Sequence, residues 1–470
     1  MRNVRLFITG LFLSANSLFA TSDSIQSKVL SYPNFIALVK AHHPIAQQAV
    51  LITQKADATV QSARGNFDPK LSYSYSEKDF NQTDYYELNR IGLKIPTWYG
   101  LEFNGGYSEN SGTYLNPENN TPAAGLWQLG ATLNLGQGLF IDKRRAALEK
   151  AKLARESSVE EQKILYNELI LHAGESYWNW FEAYNNLLVY RQAEELAQQR
   201  FSGVKIAVTQ GDKPGIDTVE AKIQVQNRQL NLQQAELNFR NASLLLSTYL
   251  WLEGTIPLDL QPGTIPHRWN AIELEANHLE LKSRLEDITQ QHPYLKMIDL
   301  KIQQLEVTKR LQREMLKPQF SIKYNAINQP VGSDPLANFN TDNYTFGVEI
   351  SMPLFLRKER GELNWTHQEL NHMKLELDNQ KASLLYKAQS AINKLSTSLE
   401  QALLYQETVQ NYELLLLGEK KKFDAGESSL FMVNSRELGF INAQLKYNEL
   451  LSKNKKSRLM AEYNLMLLAD

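Results

Sequence analysis

The chain contains no cysteine, and its 470 residues include only 15 prolines and 23 glycines. The absence of cysteine excludes disulfides, thiol nucleophiles, cysteine-ligated zinc or iron–sulfur sites and a lipidated N-terminal cysteine. The low proline and glycine content favours long, uninterrupted secondary-structure elements. Lys and Arg (50 together) nearly balance Asp and Glu (52), so no basic surplus indicates a nucleic-acid partner.

Long hydrophobic runs are also missing after the first twenty residues. Arg2 and Arg5 precede an apolar stretch at residues 6–13, and the small residues Ala20 and Ser22 follow it. This pattern predicts a secretory signal peptide at residues 1–22, with cleavage after Ala20 or Ser22; an N-terminal core helix is the alternative. No later segment offers the ~18 apolar residues that a membrane-spanning helix requires. We therefore expect an exported chain.

The sequence repeats itself in register. Two matches share one offset, His43-Pro44 with His292-Pro293 and Pro69 with Pro318. Two matches further along the chain share a second, shorter offset, Phe140 with Phe355 and Gly211 with Gly426. Equal offsets mean equal element lengths, so the chain is predicted to be a duplicated unit.

The predicted division is a first repeat at 23–252, an equatorial linker at 253–270 and a second repeat at 271–470. The fall in offset between Pro69 and Phe140 means that the first repeat carries an additional segment there. Its length is about that of one β-hairpin with its loops.

Both repeats are predicted to contain one very long helix. Asp142–Gln210 has no proline, and its apolar residues step by three or four positions. A helix of this length spans roughly 100 Å. Glu362–Ala425 repeats this design. Shorter helices are predicted on either side of them, at Pro33–Arg64, Pro214–Leu252, Ala271–Leu316 and Ser428–Leu468.

Short segments of alternating apolar and polar residues lie between the helices. They predict about four strands within residues 71–135 and two within 319–353. A half-buried sheet of a soluble protein shows the same alternation. Two features favour a membrane β-barrel: the runs Trp127–Leu135 and Tyr344–Met352 approach the ~9–11 residues of a tilted membrane strand, and the long polar loop Asn110–Ala124 alternates with the short turn Thr97–Gly100. Since four to six strands cannot close, several chains must each contribute a sector.

Four segments carry a resemblance to a known family. Residues 133–140 (LNLGQGLF) and 348–355 (VEISMPLF) pass from strand to helix, while residues 209–221 and 423–433 turn between helices. In this order and duplication they resemble the TolC-like outer membrane efflux protein family over about residues 33–468. The resemblance implies a mainly α fold with membrane β: a homotrimeric α-helical barrel of long coiled-coil helices, continued by an outer-membrane β-barrel.

The resemblance also implies a function. Such proteins are passive exit ducts in the outer membrane of Gram-negative bacteria and extend into the periplasm, where they dock a periplasmic adaptor (membrane fusion) protein and an inner-membrane transporter. In the family, four strands per chain close a 12-stranded barrel. This chain departs by its additional hairpin at about Ile91–Tyr107. Either the barrel has 18 strands, or the hairpin lies outside it.

The resemblance places the mechanism at the turns around Gly211 and Gly426. Asp217 falls on the acidic position of the pore constriction, whereas Met432 and Ser435 stand at the corresponding positions of the second repeat. Asp212, Asp424 and Glu427 are candidates to replace those acids, and simple helix capping is the alternative role for each. Adaptor docking is predicted at the tips, at Gly211, Gly215, Ile216, Gly426, Leu430 and Phe431.

No catalytic, cofactor or metal residues are predicted. No HExxH spacing occurs, and Gly136-Gln137-Gly138 lacks the third glycine of a dinucleotide loop. The rival interpretation is a periplasmic coiled-coil adaptor or structural protein without a membrane barrel. The cargo stays open among drugs, metals and secreted proteins, because the inner-membrane partner selects it.

Overall fold

The structure is a computed structural model that describes residues 29–261, 263–268, 273–276, 278–285, 288–329 and 340–469. The predicted signal peptide lies outside these residues. The helices are α1 Tyr32–His42, α2 Pro44–Arg64, α3 Lys143–Thr209, α4 Gly215–Ser247, α5 His278–Ser283, α6 Ile288–Gln291, α7 Pro293–Met315, α8 Arg357–Asp424 and α9 Leu430–Asn464. The strands are β1 Lys70–Asp79, β2 Asp84–Pro96, β3 Leu101–Ser111, β4 Leu126–Asn134, β5 Trp251–Leu252, β6 Ile256–Pro257, β7 Gln319–Asn328 and β8 Tyr344–Ser351.

The two long helices, α3 and α8, have 67 and 68 residues. The Asp142 side chain accepts a hydrogen bond from the Arg145 amide (2.8 Å) and fixes the start of α3. Helix α8 begins at Arg357, ahead of the predicted Glu362, because Leu356 turns the chain with a positive φ of 48°. Over roughly 100 Å each helix separates a β-sheet at one end from a helical turn at the other.

No helix in the described part of the chain is both long enough and apolar enough to cross a membrane.

A histidine breaks a predicted helix in each repeat. The single helices predicted at Pro33–Arg64 and Ala271–Leu316 are wrong: His43 separates α1 from α2, and His292 separates α6 from α7. Both histidines are extended because the following proline disfavours the helical region for the residue before it. Each Nδ1 accepts an amide hydrogen bond at 3.2 Å, from Ile45 and from Tyr294. The same cap in both halves confirms the duplicated unit.

Six strands form one antiparallel sheet in the order β1-β2-β3-β4-β7-β8. Strands β4 and β7 join the two repeats, with Gly130 opposite Asn325. Paired residues share a face, and one face is apolar across the sheet, as in the row Tyr73–Ile91–Tyr107–Trp127. The large side chains of this face are exposed, including Leu71 (75%) and Ile350 (68%).

The main hydrophobic core lies midway along the long helices. Tyr177, Trp180 and Phe181 of α3 are fully buried there, against residues of α1, α4 and α9. The indole Nε1–H of Trp180 donates a hydrogen bond to Ser243 Oγ of α4 (2.9 Å). Elsewhere the helices are joined by small clusters, so the long helices extend from one core region toward both ends of the molecule.

Candidate functional site: the helical tips

Each long helix ends in the same hydrogen-bonded turn. In the first tip (residues 209–217), Gly211 has a φ of +84° and donates to Val208, while Asp212 donates to Ala207. In the second tip (residues 423–433), Gly426 has a φ of +78°, and the corresponding bonds run from Gly426 to Phe423 and from Glu427 to Lys422. This is the Schellman motif, in which glycine adopts the left-handed conformation without a steric penalty.

The two tips pack against each other as one body. Val204, Ala221 and Leu430 are buried together, and Phe423 packs onto them. Lys213 Nζ of the first tip lies 3.9 Å from the centre of the Phe423 ring in the second. The position of each turn is therefore fixed by the other turn.

The predicted docking residues have different environments. Ile216 (69% exposed) and Phe431 (67%) project into solvent at the first helical turns of α4 and α9. Leu430 is buried in the core under the tips (4% exposed). Gly211, Gly215 and Gly426 have no atom within 4 Å of the position a Cβ would take, and the positive φ of Gly211 and Gly426 gives these two a conformational role.

The predicted acids of the constriction surround the tips. Asp212, Asp424 and Glu427 are exposed, and Asp217 is half-buried in the first turn of α4. Among the described residues, none of the four makes a side-chain ion pair. Their negative charge is therefore available to solvent and to ions near the tips.

A buried polar network, which the sequence analysis missed, joins α3, α4 and α9 behind the tips. The Arg200 guanidinium forms an ion pair with Glu437 and donates to Asn434 Oδ1 (2.8 Å). Asn434 in turn donates to Glu220 of α4 (3.1 Å). Glu437 is 2% exposed, so this carboxylate depends on its protein partners for solvation.

Arg228 of α4 adds a second cation beside Glu437. It is 5% exposed, and burial lowers its pKa, an effect that the charge of Glu437 opposes. Its Nε is buried without a hydrogen-bond partner among the described residues. Glu437 is thus the ion-pair partner of Arg200 and a charged neighbour of Arg228, and its removal takes away the negative charge that stabilises both guanidinium groups.

A second polar contact lies closer to the second tip. Ser428 donates to Glu419 Oε1 (2.5 Å), and the Arg436 guanidinium lies 3.6 Å from the other carboxylate oxygen. The Ser428 hydroxyl, aided by Arg436, holds the pKa of Glu419 below its usual range. This contact ties the end of α8 to the start of α9 across the turn.

The spacing of Arg200 and Glu437 from the tip glycines could have indicated that these two residues lie at the same height. Arg200 precedes Gly211 by the same number of positions as Glu437 follows Gly426. Two helices that reverse at one level place such residues at a common height. The spacing alone does not predict the Arg200–Glu437 ion pair, because it does not show which faces of α3 and α9 meet.

The chain matches the family model described as outer membrane efflux protein over residues 36–250 and 285–466. No curated protein matches the chain in sequence.

Solved structures share the fold at low sequence identity. The Campylobacter jejuni CmeC outer membrane channel has a TM-score of 0.63 at 15% identity, covering 98% of this chain and 93% of that one. The Vibrio cholerae outer membrane protein VceC has 0.64 at 14%, covering 92% and 95%. The Neisseria gonorrhoeae MtrE outer membrane channel, solved in its open state, has 0.65 at 14%, covering 95% and 93%.

These neighbours confirm the predicted fold class, in which a helical tunnel continues into a β-barrel. The family model covers most of the chain and agrees with the architecture of long duplicated helices and an apolar-faced sheet. The chain therefore belongs to the outer membrane efflux protein family and is an outer membrane efflux channel.

Proposed function

We propose that three copies of the chain form a passive exit duct from the periplasm through the outer membrane of a Gram-negative bacterium. The observation that carries this proposal is the packing of both helical tips into one body, roughly 100 Å of helix away from the apolar-faced sheet. One end of the chain suits lipid, and the other presents a compact mouth that carries both exposed acids and the exposed apolar side chains of Ile216 and Phe431. This arrangement needs no catalytic group. We propose that the partner proteins, not this chain, drive transport through the duct.

The periplasmic mouth is proposed to be the gate. Asp217, with Asp212, Asp424 and Glu427 around it, lines the constriction, and the Arg200–Glu437 network holds α9 against α3 behind it. Because a buried ion pair is costly to break on one side, the network favours a single packing of the tips, which we propose is the closed state.

The adaptor is proposed to dock on repeat-related apolar residues. Ile216 and Phe431 are related by the same offset as the tip glycines Gly211 and Gly426, and both are exposed. A trimer presents each of them three times around the mouth. An adaptor with apolar pockets at its tips, coupled to an inner-membrane transporter, fits this pattern.

The domain division is part of the proposal. Residues 23–252 and 271–470 are proposed to act as the two repeats, joined by the linker at 253–270. In this linker, the carbonyl of His267 accepts a hydrogen bond from Asn185 Nδ2 of α3 (3.5 Å). The predicted signal peptide directs export.

The first test is fractionation of cells that express the full-length chain, followed by the mass of the detergent-extracted particle. We expect the outer membrane and about three times the mass of one processed chain. A soluble periplasmic monomer contradicts the proposal and supports the rival coiled-coil adaptor without a barrel.

A further inference from the structure

We propose that the three chains close an 18-stranded β-barrel in which β1 of each protomer pairs with β8 of the next. The inference rests on the proposed trimer, and it assigns a partner, a second copy of this chain, to both edges of the sheet. It departs from the 12-stranded barrel that the family resemblance implies.

The additional hairpin, β2 with β3, is central to the sheet. Strand β2 pairs with β1 from Lys70↔Lys94 to Asp79↔Asp84, and β3 pairs with β4 from Leu101↔Leu133 to Ser108↔Leu126. A 12-stranded barrel would require both ladders to break and β1 to pair with β4 instead. The hairpin also carries the same apolar face as its neighbours, since Ile91, Leu93 and Phe103 lie in rows with β1 and β4 residues.

The polar face is continuous as well. Asn104 of β3 donates to Asn325 of β7 (2.8 Å), passing over Gly130 of β4. Asn325 donates onward to Thr345 of β8 (3.2 Å). This line of hydrogen bonds links the additional hairpin to the strands of the second repeat.

The turn of the hairpin is anchored where the sheet meets the helices. Trp98 packs against Phe67, which lies between α2 and β1, with ring centroids 5.4 Å apart. Arg144 at the start of α3 donates to Glu102 (3.3 Å). The hairpin is thus built into the wall at its base as well as along its strands.

The two edges of the sheet are open and complementary. Among the described residues, β1 pairs only with β2 and β8 only with β7. All residues of both strands are exposed. Open edges do not occur in the hydrocarbon region, because unpaired backbone groups find no water there.

Strand direction favours closure by a second copy. Consecutive neighbours are antiparallel across six strands, so β8 runs opposite to β1 and a neighbouring β1 extends the antiparallel pattern. Leu71 and Tyr73 on one edge and Val348 and Ile350 on the other carry the apolar face to both edges. A head-to-tail contact of this kind forms a ring when the rotation closes, and three copies complete it.

The consequence is a wider outer pore. Barrel diameter grows roughly linearly with strand number, so 18 strands in place of 12 widen the barrel about 1.5-fold and its cross-section about twofold. Barrels of 16–18 strands leave an aqueous channel.

The test is a strand count by electron cryomicroscopy of the full-length protein in lipid nanodiscs. The control is a variant without residues 84–111, which removes β2 and β3 and joins β1 to β4 through the outer loops. We expect 18 strands in the wild type and 12 in the variant.

Polymer exclusion gives a second readout of barrel width. Polyethylene glycols added from the outer side should enter the wild-type barrel at diameters about 1.5-fold larger than those that enter the barrel of the variant. A trimer with 12 strands and the hairpin outside overturns the inference and leaves the proposed duct intact, whereas a particle that is not a trimeric outer-membrane channel overturns the duct itself.

Disulfide formation tests the inference even if the deletion variant does not fold. Since the chain has no cysteine, the pair Ser74→Cys and Arg90→Cys, which face each other across β1 and β2, introduces the only thiols. We expect an intrachain disulfide in outer-membrane trimers. The control pair Ser74→Cys and Thr132→Cys, on β1 and β4, should stay reduced. Disulfide formation in the control pair alone means that β1 contacts β4, and it overturns the inference.

Discussion

Asn104 and Asn325, 221 residues apart in the sequence, share a hydrogen bond of 2.8 Å across Gly130. A Cβ on Gly130 would collide with the Tyr324 carbonyl and with Asn325. Glycine at this position lets two carboxamides meet over the strand between them, and so ties the first repeat to the second inside the sheet.

The first prediction concerns this glycine. Gly130→Val should displace Asn325 and weaken the β4–β7 ladder that joins the repeats, lowering the temperature at which the detergent-solubilised trimer dissociates on gel electrophoresis. The matched control is Gly203→Val on α3, where a Cβ meets nothing within 4 Å. Equal dissociation temperatures for both variants would remove the proposed role of Gly130.

The second prediction concerns the network behind the tips. Glu437→Gln removes the carboxylate that pairs with Arg200 and opposes the desolvation of Arg228, a loss expected to cost about 3–5 kcal/mol for a buried pair. The closed packing of the tips should weaken, and single-channel conductance should rise. The isosteric control is Glu413→Gln on α8, an exposed residue outside the network. A conductance unchanged by Glu437→Gln contradicts the assignment of this network to the gate.

The third prediction concerns Asp217. Removal of its charge in Asp217→Asn should alter conductance and reduce preference for cations, since a carboxylate at a constriction concentrates cations near it. Asp259→Asn, an exposed acid in the linker far from the tips, is the control. If both variants conduct as the wild type does, Asp217 does not line the constriction.

The fourth prediction concerns adaptor docking. Ile216→Asp and Phe431→Asp should each abolish docking and, with it, resistance to exported toxic compounds, while leaving the trimer intact. Leu244→Asp, which alters an equally exposed residue (66%) on α4 away from the tips, is the control. Contacts with the adaptor are mapped by crosslinking from single cysteines at these positions. Crosslinks confined to residues 253–270 would refute docking at the tips.

The fifth prediction concerns acid. Burial lowers the pKa of His292 to about 4 and lowers that of His43 too. The unfolded chain therefore binds more protons than the folded chain between about pH 6.5 and 4, so folding stability falls as the pH falls through this window. The drop from 6.5 to about 4 at His292 corresponds to on the order of 3 kcal/mol.

A non-titrating cap tests this. His292→Asn keeps an acceptor for the Tyr294 amide and should flatten the dependence of the unfolding temperature on pH between 6.5 and 4. His372→Asn, at an exposed position on α8, should leave the slope as it is in the wild type. If the unfolding temperature depends on pH equally steeply in both variants, groups other than His292 cause the acid sensitivity.

The sequence predicted the fold well where the residues of a single helix or strand determine its secondary structure. Period and proline content predicted α3 and α8, and the matching offsets predicted the duplication. It failed at His43 and His292, where apolar periodicity continues through a residue that the following proline forces out of the helix. For the tips it supplied the glycines and nearby acids, but not Arg200 and Glu437, which belong to helices far apart in the chain.

By itself, the amino-acid sequence determined the long helices, the strands and the face that each strand turns toward lipid, because these follow from local spacing. Only the tertiary structure decided that the hairpin β2–β3 stands between β1 and β4, and that Glu437 meets Arg200. The physical reason is that a period of two fixes which side of a strand is apolar without naming its neighbour. Likewise, a charged residue on a helix acquires its partner only when two distant faces pack.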